Sequence, residues 1–315
     1  MTVANPSRRG RPGLRQAGAY LYLLPAGLLL VGVFAIPLVD SVILSLHKSA
    51  GLAGTAGWAG TTNYKDELSS DVFWNIARQT AVWTIGVVVI TTVVSLVLAS
   101  LLRKPFRGRT MFRVLIMFPW ASSLAISSVI WKFALEPNGL VDRSLELVGL
   151  RSLIRPWLAN TPQATIVLIL VGVWASVPFT TVILSAGMRA IPDEIYEAFS
   201  LESSNPLRRD WYITIPLLRS VLLISLMSNF IVVFNSFPVI YVMTGGGPVN
   251  KTDILATYLY ETAFADLDIG HASAIAILVS VVLLVLTFIY IRLLVYRRSD
   301  ISSVGSRTQA ERAAR

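Results

Sequence analysis

Side chains with the reactivity that catalysis requires are scarce in this sequence, and they form no recognisable reactive motif. The 315 residues include no cysteine and two histidines, so no disulfide, thiolate metal site or cysteine nucleophile can form. No G-x-x-x-x-G-K-[ST] phosphate loop, His/Glu metal spacing or G-x-S-x-G elbow occurs. We therefore expect no catalytic residue, metal site or cofactor on this chain. If the protein uses ATP and Mg²⁺, they would have to bind a partner polypeptide.

The main internal group of charged side chains lies between two long apolar runs, in the stretch EAFSLESSNPLRRDWYITIPLL. Just upstream, Pro192 is followed by two acids, which is a typical helix start. Apolar side chains then recur at i, i+3 and i+4 on one face, and Asn205-Pro206 interrupts that pattern. The sequence predicts a helix over Asp193–Glu202, a bend, and a second short turn before the next apolar run.

The composition indicates an integral membrane protein. Hydrophobic residues make up 54% of the chain, charged residues 14%, and the mean hydropathy is +0.65, whereas soluble domains carry roughly 25% charge. A helix crosses the hydrocarbon core with about 20 apolar residues, and unpaired backbone groups cannot remain in lipid. We therefore predict an all-α membrane protein with six transmembrane helices, approximately Ala19–Leu46, Thr80–Leu102, Phe112–Leu135, Ala164–Met188, Ile213–Met243 and Ala272–Val295.

The basic residues predict the orientation of these spans. The termini and the loops after the second and fourth spans hold 19 of the 27 Lys and Arg residues, against six in the other loops. The positive-inside rule places the 19 in the cytoplasm. We predict a basic cytoplasmic segment over 1–18, a six-helix domain over 19–295 with a cytoplasmic loop at about 190–216, and a basic cytoplasmic tail over 296–315. The +9 charge then reflects topology and contact with lipid head groups, and we expect no nucleic-acid partner.

The interiors of the predicted spans contain almost no ionisable side chains. Asp40, His47 and His271 lie near span ends, and we expect them to be structural or interfacial. Pumps and voltage sensors place charges at depth, so an ion-coupled pump is not favoured. An uncharged pathway suits a neutral polar solute.

The charged stretch carries a spaced motif. Glu197-Ala198, then Ser203, then Ile213-x-Ile215-Pro216 reproduces the spacing of E-A-A-x-x-x-G, nine residues, I-x-L-P. The stretch resembles the cytoplasmic EAA loop of ABC importer permeases. It departs from that pattern at Phe199, Ser203 and Ile215, where the family has Ala, Gly and Leu.

Other segments extend the resemblance from about Tyr20 to Leu294. Leu24-Pro25-Ala26, Asn63-Tyr64 and the turn Met243–Pro248 resemble carbohydrate-type permeases, specifically the first permease subunit of the maltose and glycerol-3-phosphate group. The resemblance implies the type I importer permease fold, in the cell membrane of a prokaryote.

The same resemblance implies roles and partners. The coupling helix, over about 193–204, is expected to dock on an ATP-binding subunit, and its family-implied coupling residues are Glu197, Ala198, Phe199, Glu202, Ser203, Ile213 and Pro216. The implied partners are a second homologous permease subunit, two ATP-binding subunits and an extracytoplasmic substrate-binding protein. Solute then crosses by alternating access.

A solute pathway is implied near the middle of the fourth and fifth spans. In similar sugar permeases it follows a W-x-x-x-P-[YF] segment and the polar residues before the glycine-rich turn. Aromatic faces pack on sugar C–H surfaces, while amides and hydroxyls pair with sugar hydroxyls. The expected pathway residues are Trp174, Ser176, Phe179, Phe234 and Asn235.

Two alternatives remain open at the level of sequence. One is a permease for another solute class, such as glycerophosphates or polyamines, and path-facing cations would favour anionic solutes. The other is a membrane scaffold or an intramembrane enzyme. The enzyme would require buried acid, histidine or metal-ligand pairs.

Overall fold

The computed structural model of the chain is helical apart from one short hairpin, and it describes residue 22, residues 24–51 and residues 54–313, with side chains up to Arg292. The predicted segment 1–18 and the start of the first span lie outside the described residues, as do the side chains of the tail and the backbone of 314–315. The helices are α1 Leu24–Ser45, α2 Thr62–Ser69, α3 Asp71–Arg103, α4 Arg109–Ala121, α5 Leu124–Ala134, α6 Leu140–Leu147, α7 Thr161–Arg189, α8 Asp193–Glu202, α9 Pro206–Arg209, α10 Ile215–Phe234, α11 Phe237–Met243, α12 Leu255–Phe264 and α13 Ile269–Ala313.

Several helices are long and apolar enough to cross a membrane. Within the described residues five stretches meet that description: Leu24–Ser45, Asp71–Arg103, Thr161–Arg189, Pro206–Met243 and Ile269–Arg292. The pair α4 and α5 meets it only when the two helices are joined, and they are bent by 98°. The described part of the chain therefore has five helices able to cross a membrane, or six if the bent pair counts as one, which is the pattern of a multi-pass membrane protein.

The prediction of one continuous third span over Phe112–Leu135 was wrong, because the helix breaks at Ser122-Ser123. Both serines adopt extended backbone angles. The Ser122 hydroxyl donates to the Pro119 carbonyl at 2.9 Å and lies 2.7 Å from the Ser127 hydroxyl. Serine hydroxyls that bond the local backbone compete with the helical ladder. The proline adds to this effect because it lacks an N–H.

The predicted fifth span, Ile213–Met243, is also interrupted. A π-helical stretch, Asp210–Thr214, leads into α10, which ends at Phe234 before α11 begins at Phe237. The Asn235 amide donates to the Ile231 carbonyl at 3.0 Å. The Trp83 indole Nε1–H donates to the Val233 carbonyl, also at 3.0 Å. The Ile231 carbonyl is thereby paired at the break, as a non-aqueous environment requires. The Val233 carbonyl also accepts from the Ser236 N–H at 3.0 Å, so the indole supplies it with a second bond.

The core lies where α3, α7, α10 and α11 meet. Trp83 on α3 is 1% exposed and packs in one cluster with Val171, Val233 and Ile240. At Gly172 on α7, an added Cβ would lie 2.7 Å from the Trp83 ring and 2.9 Å from Val87. Glycine therefore permits the close approach of α3 and α7.

A hairpin and two short helices cover one end of the bundle, and the all-α prediction missed the hairpin. Strands β1 His47–Ser49 and β2 Thr55–Trp58 pair antiparallel, with a register irregularity, around glycines of positive φ. The Asn63 amide on α2 donates to the carbonyls of Ser45 and His47 at 2.8 and 2.9 Å. These bonds fasten α2 to the end of α1.

A buried carboxyl also links α2 to α12 at this end. Glu67 is 6% exposed, and the Tyr258 hydroxyl donates to its Oε2 at 3.2 Å. Burial raises the pKa of Glu67 above its ordinary value, although the hydrogen bond from Tyr258 opposes the shift. Burial and the nearby Glu67 carboxyl raise the pKa of Tyr258 to about 12. Nearby, His271 Nδ1 pairs with Asp268 Oδ2 at 2.9 Å, which agrees with a structural role.

Gly172→Ala is expected to lower the thermal stability of the purified chain, because the added methyl meets the Trp83 ring and Val87. Overpacking of this kind costs about 1–3 kcal/mol. Gly27→Ala in α1 is the matched control, since its Cβ meets no heavy atom within 4 Å. Equal melting temperatures of the two variants in the same detergent would contradict the close packing of α3 on α7.

Candidate functional site

A cavity of about 300 Å³ opens beside the break in the fifth span. Its walls come from α3, from the bend between α4 and α5, from the middle of α7, and from α10 and α11. Both interrupted spans therefore contribute to it. Of the described residues that line it, none is charged. The lining residues with a polar group or an aromatic ring are Trp83, Trp120, Ser122, Ser176, Phe179, Ser228, Asn229 and Ser236.

Asn229 is the amide in this lining. Its side chain is 5% exposed, and its Nδ2 makes no hydrogen bond to the described part of the chain. A buried amide without a partner is costly, and native proteins pair most such groups. Because this nitrogen is itself buried, a solute in the cavity would reach it only after the lining rearranges.

Two of the five expected pathway residues line this cavity, namely Ser176 and Phe179. Trp174 turns away and packs edge-on against Trp131, with ring centroids 5.6 Å apart. Phe234 is 7% exposed and belongs to a separate apolar cluster. Asn235 is exposed at the helix break, where its amide bonds to the backbone.

Sequence reasoning missed Ser228, Asn229, Ser236 and Trp120. Ser228 and Asn229 lie on α10, whereas Ser236 lies in the break that follows it, so the helical period of the sequence does not relate Asn229 to Ser236. The break at Asn235 moves it off the cavity face.

The second candidate site is the surface of α8, whose predicted bounds Asp193–Glu202 are confirmed. Two acids occupy its first turn, where the helix dipole favours negative charge. The break that follows is held by Asn205, whose Oδ1 accepts from the Leu207 N–H at 2.9 Å. Ser203 stands where the EAA-loop motif has glycine, and its backbone is extended, with φ −154°. A side chain is therefore tolerated there without backbone strain.

The structure separates the expected coupling residues by exposure. Glu197, Ala198, Glu202 and Pro216 are exposed, while Phe199, Ser203 and Ile213 are partly buried. Leu201 adds an apolar side chain that is 92% exposed. The outward surface of α8 thus combines carboxylates with an exposed leucine.

The inward side of α8 rests on Tyr196, which is 4% exposed. A groove of about 360 Å³ runs beside it, lined in part by Arg103, Phe199, Ser203 and Arg209. The helix is therefore anchored on one face and open on the other. No group of three or more His, Cys, Asp or Glu side chains is placed to hold a metal ion in the residues that the structure describes.

Comparison with known proteins matches the chain to one family. The family model described as "binding-protein-dependent transport system inner membrane component" matches residues 91–300. A "probable ABC transporter permease protein" of Brucella suis biovar 1 (strain 1330) is 40% identical over 275 residues, which cover 87% of this chain and 95% of the relative. The trehalose/maltose transport system permease protein MalF of Thermococcus litoralis is 31% identical over 283 residues, covering 89% and 94%.

A solved structure shares the fold. A chain of a bacterial ABC transporter involved in import of the acidic polysaccharide alginate aligns with a TM-score of 0.77. The alignment covers 90% of this chain and 96% of that chain at 18% identity. At this identity the likeness shows the fold.

Asn229→Leu is expected to leave the thermal stability of the purified chain unchanged or to raise it. The substitution replaces an unpaired buried amide by an apolar group of similar size, which removes a cost of about 1–3 kcal/mol. Trp83→Phe is the comparison, because it removes the bond to the Val233 carbonyl and should lower the melting temperature. A marked loss of stability in Asn229→Leu would show that the amide is structural.

Proposed function

This chain belongs to the family of binding-protein-dependent transport system inner membrane components, and we propose that it is the permease subunit of an ATP-driven importer for a sugar or sugar-like solute. Membership makes it a membrane transporter component rather than an enzyme. The observation that carries the proposal is the geometry of α8. This exposed helix contains the E-A motif Glu197-Ala198 and is anchored to the spans by its inner face.

The chemistry of the cavity supports a neutral sugar as the solute. Trp120 and Phe179 offer aromatic faces, and Asn229 with Ser176 and Ser228 offers hydrogen-bonding groups. Sugars use both kinds of contact. The name of the Thermococcus relative, a trehalose/maltose permease, points to the same solute class. The uncharged lining among the described residues favours a neutral solute over a phosphorylated one.

The proposed topology has six crossings with both termini in the cytoplasm of a prokaryotic cell membrane. The bent pair α4 and α5 then counts as one crossing. The hairpin, α2, α6 and α12 lie on the side of the membrane opposite to the cytoplasm. The positive-inside rule assigns the 19 basic residues, and with them the loop that contains α8, to the cytoplasm. Lipid contacts the exposed apolar faces of the spans.

The proposed mechanism is alternating access in a larger assembly. A substrate-binding protein delivers the solute to the outer side, and a second, homologous permease subunit completes the pathway. Two ATP-binding subunits bind ATP and Mg²⁺, and one of them receives α8. Closure of these subunits moves α8, and the spans around the cavity rock between outward and inward openings. The uncharged cavity binds the solute more weakly once its walls separate.

Glu197→Arg is expected to abolish solute uptake and to release the ATP-binding subunit while the chain still folds. Glu197 is exposed on α8, so the reversal alters the docking surface without disturbing a core contact. The measurement is purification of the tagged chain from its host in mild detergent, with identification of co-purifying proteins, ATP hydrolysis and uptake.

Glu136→Arg, an exposed reversal between α5 and α6, is the control and should retain the ATP-binding subunit. If Glu197→Arg transports at the rate of the unaltered chain, α8 is not the docking helix. If the unaltered chain purifies without any ATP-binding subunit or ATPase activity, the importer assignment itself fails.

A further inference from the structure

The end of α3 is attached to α8 by one arginine. The guanidinium carbon of Arg103 lies 3.5 Å from the centroid of the Tyr196 ring, and its Nη1 donates to Asp193 Oδ1 at 3.0 Å. The Arg103 side chain is 17% exposed, whereas that of Asp193 is 84% exposed. Because a solvated ion pair holds weakly, the face of Tyr196 is the stronger of the two contacts.

Tyr196 continues the connection to the fifth span. Its hydroxyl lies 3.4 Å from the Thr214 hydroxyl, at the entrance to α10. A second cation, Arg209, lies 5.8 Å from the centroid of the same ring. The buried Tyr196 ring therefore lies near arginines from two different segments, one at the end of α3 and one on α9.

A network of charged hydrogen bonds joins α3 to the start of the fifth span. The Asp210 carboxylate accepts hydrogen bonds from the Ser100 hydroxyl at 2.6 Å, from the Thr214 hydroxyl at 3.0 Å and from the Arg209 guanidinium at 3.0 and 3.1 Å. Arg209 Nη2 also donates to Ser100 Oγ at 2.8 Å. Ser100 and Arg103 are three residues apart on α3 and therefore share one face.

We propose that Arg103 and Tyr196 form a positioning clamp that transmits the movement of α8 to α3 and thereby to the cavity, a role that rests on the proposed function. Neither residue belongs to the E-A motif or to the outward surface of α8. The clamp therefore determines how much solute is moved per ATP hydrolysed. It takes no part in docking of the ATP-binding subunit.

The physical reason is the geometry of the contact. A guanidinium stacked on a buried ring resists sliding, and its ion pair to Asp193 fixes rotation about the stack. Removing the ring leaves Arg103 with the solvated ion pair to Asp193 as its polar contact to α8. The ATP-binding subunit would still bind α8, but α8 would pivot without carrying α3.

The test uses the complete transporter, reconstituted in proteoliposomes with its substrate-binding protein, and measures uptake and ATP hydrolysis in the same vesicles. Arg103→Gln and Tyr196→Leu are expected to keep the ATP-binding subunit. In both, solute moved per ATP hydrolysed is expected to fall roughly five- to tenfold, the scale of moderate coupling between sites. The double variant should be no worse than either single variant, because the two residues act as one unit.

Conservative variants separate positioning from a merely structural role. Tyr196→Phe keeps the ring and should restore the ratio of uptake to ATP hydrolysis. Arg103→Lys keeps the charge but loses the planar fork, so its ratio should lie between the unaltered chain and Arg103→Gln. Arg107→Gln, in the loop that follows α3 and exposed, is the matched control and should leave the ratio unchanged.

An unchanged ratio in Arg103→Gln would overturn the clamp while leaving the importer assignment in place. A proportional loss of uptake and ATP hydrolysis in Tyr196→Leu and Arg103→Lys would also overturn it, because that pattern marks damaged folding or docking. If the unaltered chain shows no associated ATP-binding subunit, the proposed function fails first and the clamp fails with it.

Discussion

A membrane helix can break only where other groups pair the backbone atoms that the break exposes, and in the fifth span these groups belong to Asn235, Ser236 and Trp83. The indole of Trp83 donates to the Val233 carbonyl at 3.0 Å, while Asn235 pairs the carbonyl of Ile231. The same indole ring packs against Gly172. The break, the packing of α3 on α7 and the cavity beside them all depend on this arrangement.

Helix α3 joins the two candidate sites. Trp83 lies at the cavity, and Arg103 lies on Tyr196 of α8, twenty residues further along the same helix. At 1.5 Å per residue this separation is about 30 Å, close to the thickness of the hydrocarbon core. In the proposed mechanism, this continuous helix carries the movement of α8 from Arg103 to the cavity.

The sequence was sufficient for features set by local rules, and insufficient where tertiary contacts decide. The bounds of α8 followed from its acidic start and its Asn205-Pro206 end. The apolar runs identified the spans, but they did not show that serine hydroxyls bend the third span at Ser122. The direction in which each pathway side chain points depends on helix rotation. Phe234 therefore entered an apolar cluster while the unselected Asn229 lined the cavity.

Whether α8 contacts an ATP-binding subunit is tested most directly by cross-linking from a single introduced cysteine, since the chain has none of its own. Leu201 on α8 is 92% exposed, and Leu147 on α6 is 89% exposed. With a short bifunctional reagent applied to the assembled transporter, Leu201→Cys should link to the ATP-binding subunit and Leu147→Cys should not. Cross-linking of Leu147→Cys to that subunit, with none from Leu201→Cys, would contradict the assignment of α8 and the proposed orientation of the chain.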